Sequence, residues 1–174
     1  MIEREITYLA KSLPDGLLEC PTKETIDRYL PIEAEHPVLR LRKQGDTREL
    51  TKKVPVVEGD ASIQTEETIV LSEAEYEVLA TLPAKQLRKV RYYYDYQGQV
   101  AEFDVFQDEL AGLVVVDFEF ATEEEKATFV MPDFCLADIT QETFIAGGMV
   151  CGKSYATIEP VLRKFEYRKL LHSS

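Results

Sequence analysis

Along most of the chain polar and apolar side chains alternate one by one, the period of a strand whose two faces meet different surroundings. The alternation predicts eight short strands at about 1–10, 23–30, 36–43, 48–56, 62–71, 87–96, 99–107 and 112–121. The stretches RKQGDTRE and DYQGQ put Gly and polar residues where hairpin turns belong. Two short helices are signalled by capping boxes, Ser72 with Glu75 and Thr122 with Glu125. A last helix, about 154–170, starts at Ser154 and lines up Ile158, Val161, Leu162, Phe165 and Leu170. Strands dominate, so the predicted fold is mainly β with some α: a closed, eight-stranded antiparallel barrel with helices packed outside.

The charges within those strands carry more information than their number. Side chains two apart on a strand share a face, and the like-charged or polar pairs recur at that spacing: Glu3 and Glu5, Arg40 and Arg42, Thr51 and Lys53, Glu66 and Thr68, Lys89 and Arg91, Glu102 and Asp104, Asp117 and Glu119. Apolar neighbours such as Leu41, Val90, Phe103 and Phe118 fall on the other face. Singly, each pair reads as a solvated strand face. Together they suggest a charged lumen, because the helices must cover apolar outer positions. A lumen holding Arg40, Arg42, Lys53, Lys89 and Arg91 beside Glu3, Glu5, Glu66, Asp104, Asp117 and Glu119 would be nearly balanced. Desolvated charges need partners. Polyphosphate against the cations and Mg²⁺ or Mn²⁺ against the carboxylates would supply both.

Composition narrows the partners. The chain has 174 residues with 45% hydrophobic and 30% charged, as expected of one globular domain spanning 1–174. A net charge of −12 disfavours nucleic acid bound through a general basic surface. No apolar run approaches a membrane span, no secretory h-region follows Met1, and Cys20, Cys135 and Cys151 form no CxxC, so a cytoplasmic protein with inert thiols is expected. Tyr92, Tyr93, Tyr94 and Tyr96 read as strand-packing aromatics, and His36 and His172 as solvent-facing.

GGMVCGKS, residues 147–154, fits the nucleotide-loop pattern GxxxxGK[ST]. The segment before it, DFCLADITQETFIA, is no continuous apolar parallel strand, and only 20 residues follow Ser154. As a fold signature the match is a decoy.

In order along the chain, EREITYLAKSLP, VLRLR, LTKK, TEETIVLS, KVRYYY, EFDVFQDELAGL, VDFEF and PDFCLADIT resemble the motifs of the CYTH, or triphosphate tunnel metalloenzyme, superfamily. The resemblance covers about residues 1–146. It implies an eight-stranded tunnel, often in a homodimer, that hydrolyses a triphosphate with Mg²⁺ or Mn²⁺. Arg40, Arg42, Lys53, Lys89 and Arg91 would grip phosphates, and Glu3, Glu5, Glu66, Asp104, Asp117 and Glu119 would hold metal. Glu3, Glu5, Lys89 and Glu119 would be the catalytic set. Inorganic triphosphate is the favoured substrate. The alternatives are thiamine triphosphatase or adenylate-cyclase-type chemistry, or a binding module with little turnover. Three departures stand out. Thr7 replaces the lysine of the family's ExExK motif, Gln64 stands near where an arginine is common, and a Gly-rich insertion with a helix, at about 147–171, replaces the closing segment. Lys153 reads as a surface lysine in a turn; it would supply the lost cation only if the insertion folds over a tunnel mouth.

Overall fold

The computed structural model describes residues 2–171; His172 lies outside them. Nine strands form one sheet: β1 (Ile2–Ala10), β2 (Thr22–Leu30), β3 (Leu39–Gln44), β4 (Thr47–Pro55), β5 (Ile63–Val70), β6 (Lys85–Tyr96), β7 (Gln99–Phe106), β8 (Val114–Glu119) and β9 (Cys135–Asp138). The first eight follow one another around a closed barrel in the order β1-β5-β4-β3-β2-β6-β7-β8, every pairing antiparallel. All eight predicted strands are present, several shortened at their ends. Closure is a short seam. Among the described residues it consists of Ile2, Glu3 and Arg4 paired with Thr65, Gln64 and Ile63. Beyond it β5 diverges, and β9 takes over the free edge of β1 at Tyr8–Ala10. Four residues are too few for alternation to mark β9 as a strand.

The two predicted hairpins form. Gln97 and Gly98 both have positive φ, as a tight β6–β7 turn requires. Helices α1 (Glu73–Leu79) and α2 (Glu123–Thr128) start at complete capping boxes. On the outer face of β1, β7 and β8, Tyr8, Phe103 and Phe118 are at most 3% exposed. They pack with Phe129, Phe134, Tyr94 and Tyr96 in one aromatic cluster. Edge-to-face and tilted contacts of this kind add to the area they bury. The strand-packing reading of these tyrosines therefore describes Tyr92, Tyr94 and Tyr96, all of which pack against this cluster.

The C-terminal segment differs from expectation. A one-turn helix, α3 (Gly147–Val150), precedes the last helix, α4 (Tyr155–Leu162), which is shorter than predicted and yields to a 3-10 turn, Arg163–Phe165. Glu166 then takes a left-handed conformation that stops the helix. The bend lets the Tyr167 hydroxyl enter the interior, where it donates to the Gly112 carbonyl and accepts from the Val114 N–H. Moreover, α4 closes one end of the barrel. Its Tyr155, Ile158 and Leu162 join the buried cluster of Leu9, Leu87, Phe106, Val115 and Ile139. Leu9, Leu87, Phe106 and Val115 continue, at strand spacing, the inward faces that carry Thr7, Lys89, Asp104 and Asp117. On four strands the inner face thus switches from polar to apolar at the same level, giving the lumen a hydrophobic floor.

Candidate active site

Above that floor lies a cavity of about 600 Å³. Each of the eight barrel strands sends side chains from one face into it: Glu3, Glu5 and Thr7 from β1; Asp27 and Tyr29 from β2; Arg40 and Arg42 from β3; Glu49 and Lys53 from β4; Gln64 and Glu66 from β5; Lys89 and Arg91 from β6; Glu102 and Asp104 from β7; Asp117 and Glu119 from β8. Every site residue named from the sequence therefore lines one enclosed space. Sequence reasoning omitted Asp27, Glu49 and Glu102 from the site. With them the strands contribute nine carboxylates against five cations, so the lumen is acidic rather than balanced.

The charges are sorted by wall. Consecutive strands β4, β3, β2 and β6 carry all five cations, while β7, β8, β1 and β5 carry seven of the nine carboxylates. Where the walls meet, pairs form. Arg91 grips Asp104 with two hydrogen bonds of 2.7 Å, contacts Glu102, and reaches Asp117 at 3.2 Å. Lys89 binds the same Asp104, which is 1% exposed. Burial alone would raise the Asp104 carboxyl, but the charges of Arg91 and Lys89 hold it well below the ordinary range. Burial pulls Lys89 below the usual lysine value, with its cationic neighbours Arg91 and Arg42 adding to the effect. Lys53 touches Glu3 and lies 3.8 Å from Glu5 and 3.5 Å from Glu66.

On the basic wall, Arg42 makes a two-pronged pair with Asp27, Nε to Oδ1 at 2.7 Å and Nη2 to Oδ2 at 2.8 Å. Burial would raise Asp27, yet Arg42, aided by Arg40, brings it down to about 2. Arg40 stands apart: its Nε is buried without a hydrogen-bond partner, and it comes no nearer to Asp27 than 4.0 Å.

Glu5 reports the opposite imbalance. Burial, with Asp117, Glu3 and Glu119 close by, raises it to about 7 despite Lys53. Burial likewise raises Glu119. Carboxylates in that state lack positive charge, and an oxygen-only donor set suits a hard divalent cation. As placed, no three His, Cys, Asp or Glu side chains among the described residues converge tightly enough to hold an ion. Lys53 and Arg91 lie among the carboxylates and occupy them.

Thr7, where the family motif has lysine, faces the cavity and donates from Oγ1 to Asp117 Oδ1 at 2.7 Å. Its N–H donates to Thr140 Oγ1. Lys153 does not replace the missing cation. It lies outside the lumen in a separate surface depression with Arg88, Asp108 and Glu109. The insertion does reach the cavity, through backbone rather than charge: Ala146, Gly147 and Gly148 line it beside the exposed, rim-forming His36. The glycines are needed there, since a Cβ on Gly147 would fall 2.1 Å from the Tyr29 hydroxyl and one on Gly148 2.2 Å from the Pro37 carbonyl oxygen. The nucleotide-loop pattern is thus a close-packed strap. The strand nearest before it, β9, runs antiparallel to β1.

The cysteines are free, and burial pushes the thiols of Cys135 and Cys151 up to about 12. Among the described residues no helix is long and apolar enough to cross a membrane.

No family-level sequence model matches the chain. It is 31% identical over 145 residues to an inorganic triphosphatase of Nitrosomonas europaea, covering 82% of this chain and 91% of that one. Among solved structures, that of a hypothetical protein, NE1496, superposes with a TM-score of 0.63 at 27% identity, over 87% of this chain and 99% of the other. A structure of the inorganic triphosphatase NE1496 gives 0.62 at 24%, over 87% and 95%. With the closed antiparallel tunnel, the ordered inward doublets and a relative this similar along most of both chains, the protein belongs to the CYTH, or triphosphate tunnel metalloenzyme, superfamily.

Proposed function

We propose that the chain hydrolyses a triphosphate in this cavity with a divalent metal, inorganic triphosphate being the preferred substrate. The observation that carries the reading is the division of one lumen into a cationic and an anionic wall. The triphosphatase named among its relatives supports it. Transfer of a terminal phosphoryl group needs positioning and charge neutralisation more than covalent help. Arg40, Lys89 and Arg91, with Arg42 and Lys53 behind them, would hold phosphate oxygens. Arg91 can present its fork only as its carboxylate partners exchange to a new counter-ion.

Glu3, Glu5, Asp117 and Glu119, with Glu66 and Asp104 adjoining, would hold Mg²⁺ or Mn²⁺. When bound, the ion would offset phosphate charge and supply a water acidic enough to attack near neutral pH. The chain's own residues do the rest. Thr7 orients Asp117, the hydrophobic floor bars water from one end, and Glu5, at about 7, can give up a proton as positive charge arrives.

A phosphate-release screen over inorganic triphosphate, thiamine triphosphate, ATP and GTP, with Mg²⁺ or Mn²⁺, tests the reading. Release is expected, fastest from inorganic triphosphate, with chelation stopping it. Glu119→Gln should lower the rate at least about tenfold, since one charge is lost from the metal wall. Wild-type turnover in that variant would remove Glu119 from the site.

A further inference from the structure

Within the tunnel four of the five cations are already in close carboxylate pairs, and one such partner stands out. Asp27 is a carboxylate within the cationic wall, on β2 between the strands that carry Arg42 and Lys89. It is 1% exposed and engages Arg42 through both oxygens. Of the five N–H donors of Arg42, the Nε–H and one on Nη2 are thus committed to Asp27, and only the other three can meet a ligand unless Asp27 lets go. Charge-assisted, two-pronged pairs of this kind are among the strongest contacts a guanidinium makes, and separating a buried one leaves a costly unpaired charge.

We infer that Asp27 is a positioning and selectivity residue: it holds Arg42 in register and competes with incoming phosphate for that guanidinium. A ligand must compensate this contact before it gains the full cationic wall. Orthophosphate and diphosphate bring too little charge and too few oxygens to do so. Triphosphate can anchor first on Arg40, which has no hydrogen-bonded carboxylate, and still reach Arg42. The internal carboxylate thus raises the threshold for short phosphates, and products leave readily.

The inference deepens the proposed triphosphatase reading and rests on it for the choice of ligands, but binding is measured without turnover, so the two can fail separately. Calorimetry with methylene-bridged diphosphate and methylene-bridged triphosphate, both with Mg²⁺, gives the affinity ratio. In the wild-type chain the triphosphate analogue should bind at least about 100-fold more tightly, a gap of about 2.7 kcal/mol. Asp27→Asn keeps an oxygen for Arg42 and removes the competing charge. It should narrow the gap to under about tenfold, chiefly by tightening the diphosphate analogue. A merely structural role for Asp27 would weaken both ligands together and leave their ratio alone; that result, or an unchanged ratio, overturns the inference. Should Asp27→Asn fail to fold, the wild-type ratio still decides, because a gap below about tenfold leaves no threshold to explain.

Discussion

Replacing Arg91 by Gln is expected to lower kcat/KM for triphosphate hydrolysis by about 10³ or more, the range seen when a cation aimed at a transferring phosphoryl group is lost. Arg91 is the hub between the two walls, touching Asp104, Glu102 and Asp117 at once. Glutamine fills much of the same space yet cannot neutralise any of them. Asp104 would keep only Lys89, and three carboxylates would repel one another where phosphate must sit. The fold should suffer too, by about 3–5 kcal/mol, because breaking a buried pair strands its partner charge. Arg91→Lys restores the charge without the planar fork, so it should recover stability before it recovers rate. Phosphate release and a thermal melt on the wild type and both variants check the two effects. Turnover by Arg91→Gln within about threefold of wild type would show that phosphate is held elsewhere.

Gly148→Ala should destabilise the protein by about 1–3 kcal/mol, the usual cost of forcing a methyl into a filled site. The new Cβ would lie 2.2 Å from the Pro37 carbonyl oxygen, and backbone cannot turn aside as a flexible side chain would. Either the loop carrying Pro37 moves or the strap of residues 146–148 lifts off the cavity rim. In a chain of this size the melting temperature should fall by roughly 2–4 °C for each kcal/mol. KM should rise as well, since the strap lines the cavity. Gly152→Ala is the control for backbone strain alone. Gly152 has φ of +77°, so alanine strains its backbone, but its nearest neighbour, the Lys85 side chain, is 3.6 Å away and the site is outside the lumen. Melting and KM both unchanged in Gly148→Ala would show that the strap does not seat against Pro37.

These two residues also mark what could be read from the sequence and what could not. Arg91 was legible because a strand has only two faces. Once Val90 and Tyr92 are outward, Lys89 and Arg91 must point inward, and the same logic placed every doublet. Gly148 was not, because nothing local to GGMVCGKS distinguishes glycines that cradle phosphate from glycines that let two backbones touch. Asp27 escaped for a different reason. Its same-face neighbours, Thr25 and Tyr29, carry no charge of its sign, so the doublet pattern passed over a lone acid whose partner, Arg42, lies on the next strand. Whether Lys153 reaches the lumen could not be read, because sequence spacing gives the length of an insertion but not the side of the barrel on which its tip emerges; it is the surface lysine of the simpler reading. The hydrophobic floor was written in Leu9, Leu87, Phe106 and Val115, each one strand step beyond a polar lumen residue. Its meaning needed the end-on packing of α4, which no periodicity encodes.

The bipartite lumen is tested most directly by a crystal structure grown with Mn²⁺ and the methylene-bridged triphosphate, read by anomalous scattering. The account predicts a manganese peak among Glu5, Asp117 and Glu119, with phosphorus density against Arg40, Lys89 and Arg91 inside the barrel. Manganese and phosphate found only on the outer surface, with the lumen carboxylates still paired to Lys53 and Arg91, would contradict it.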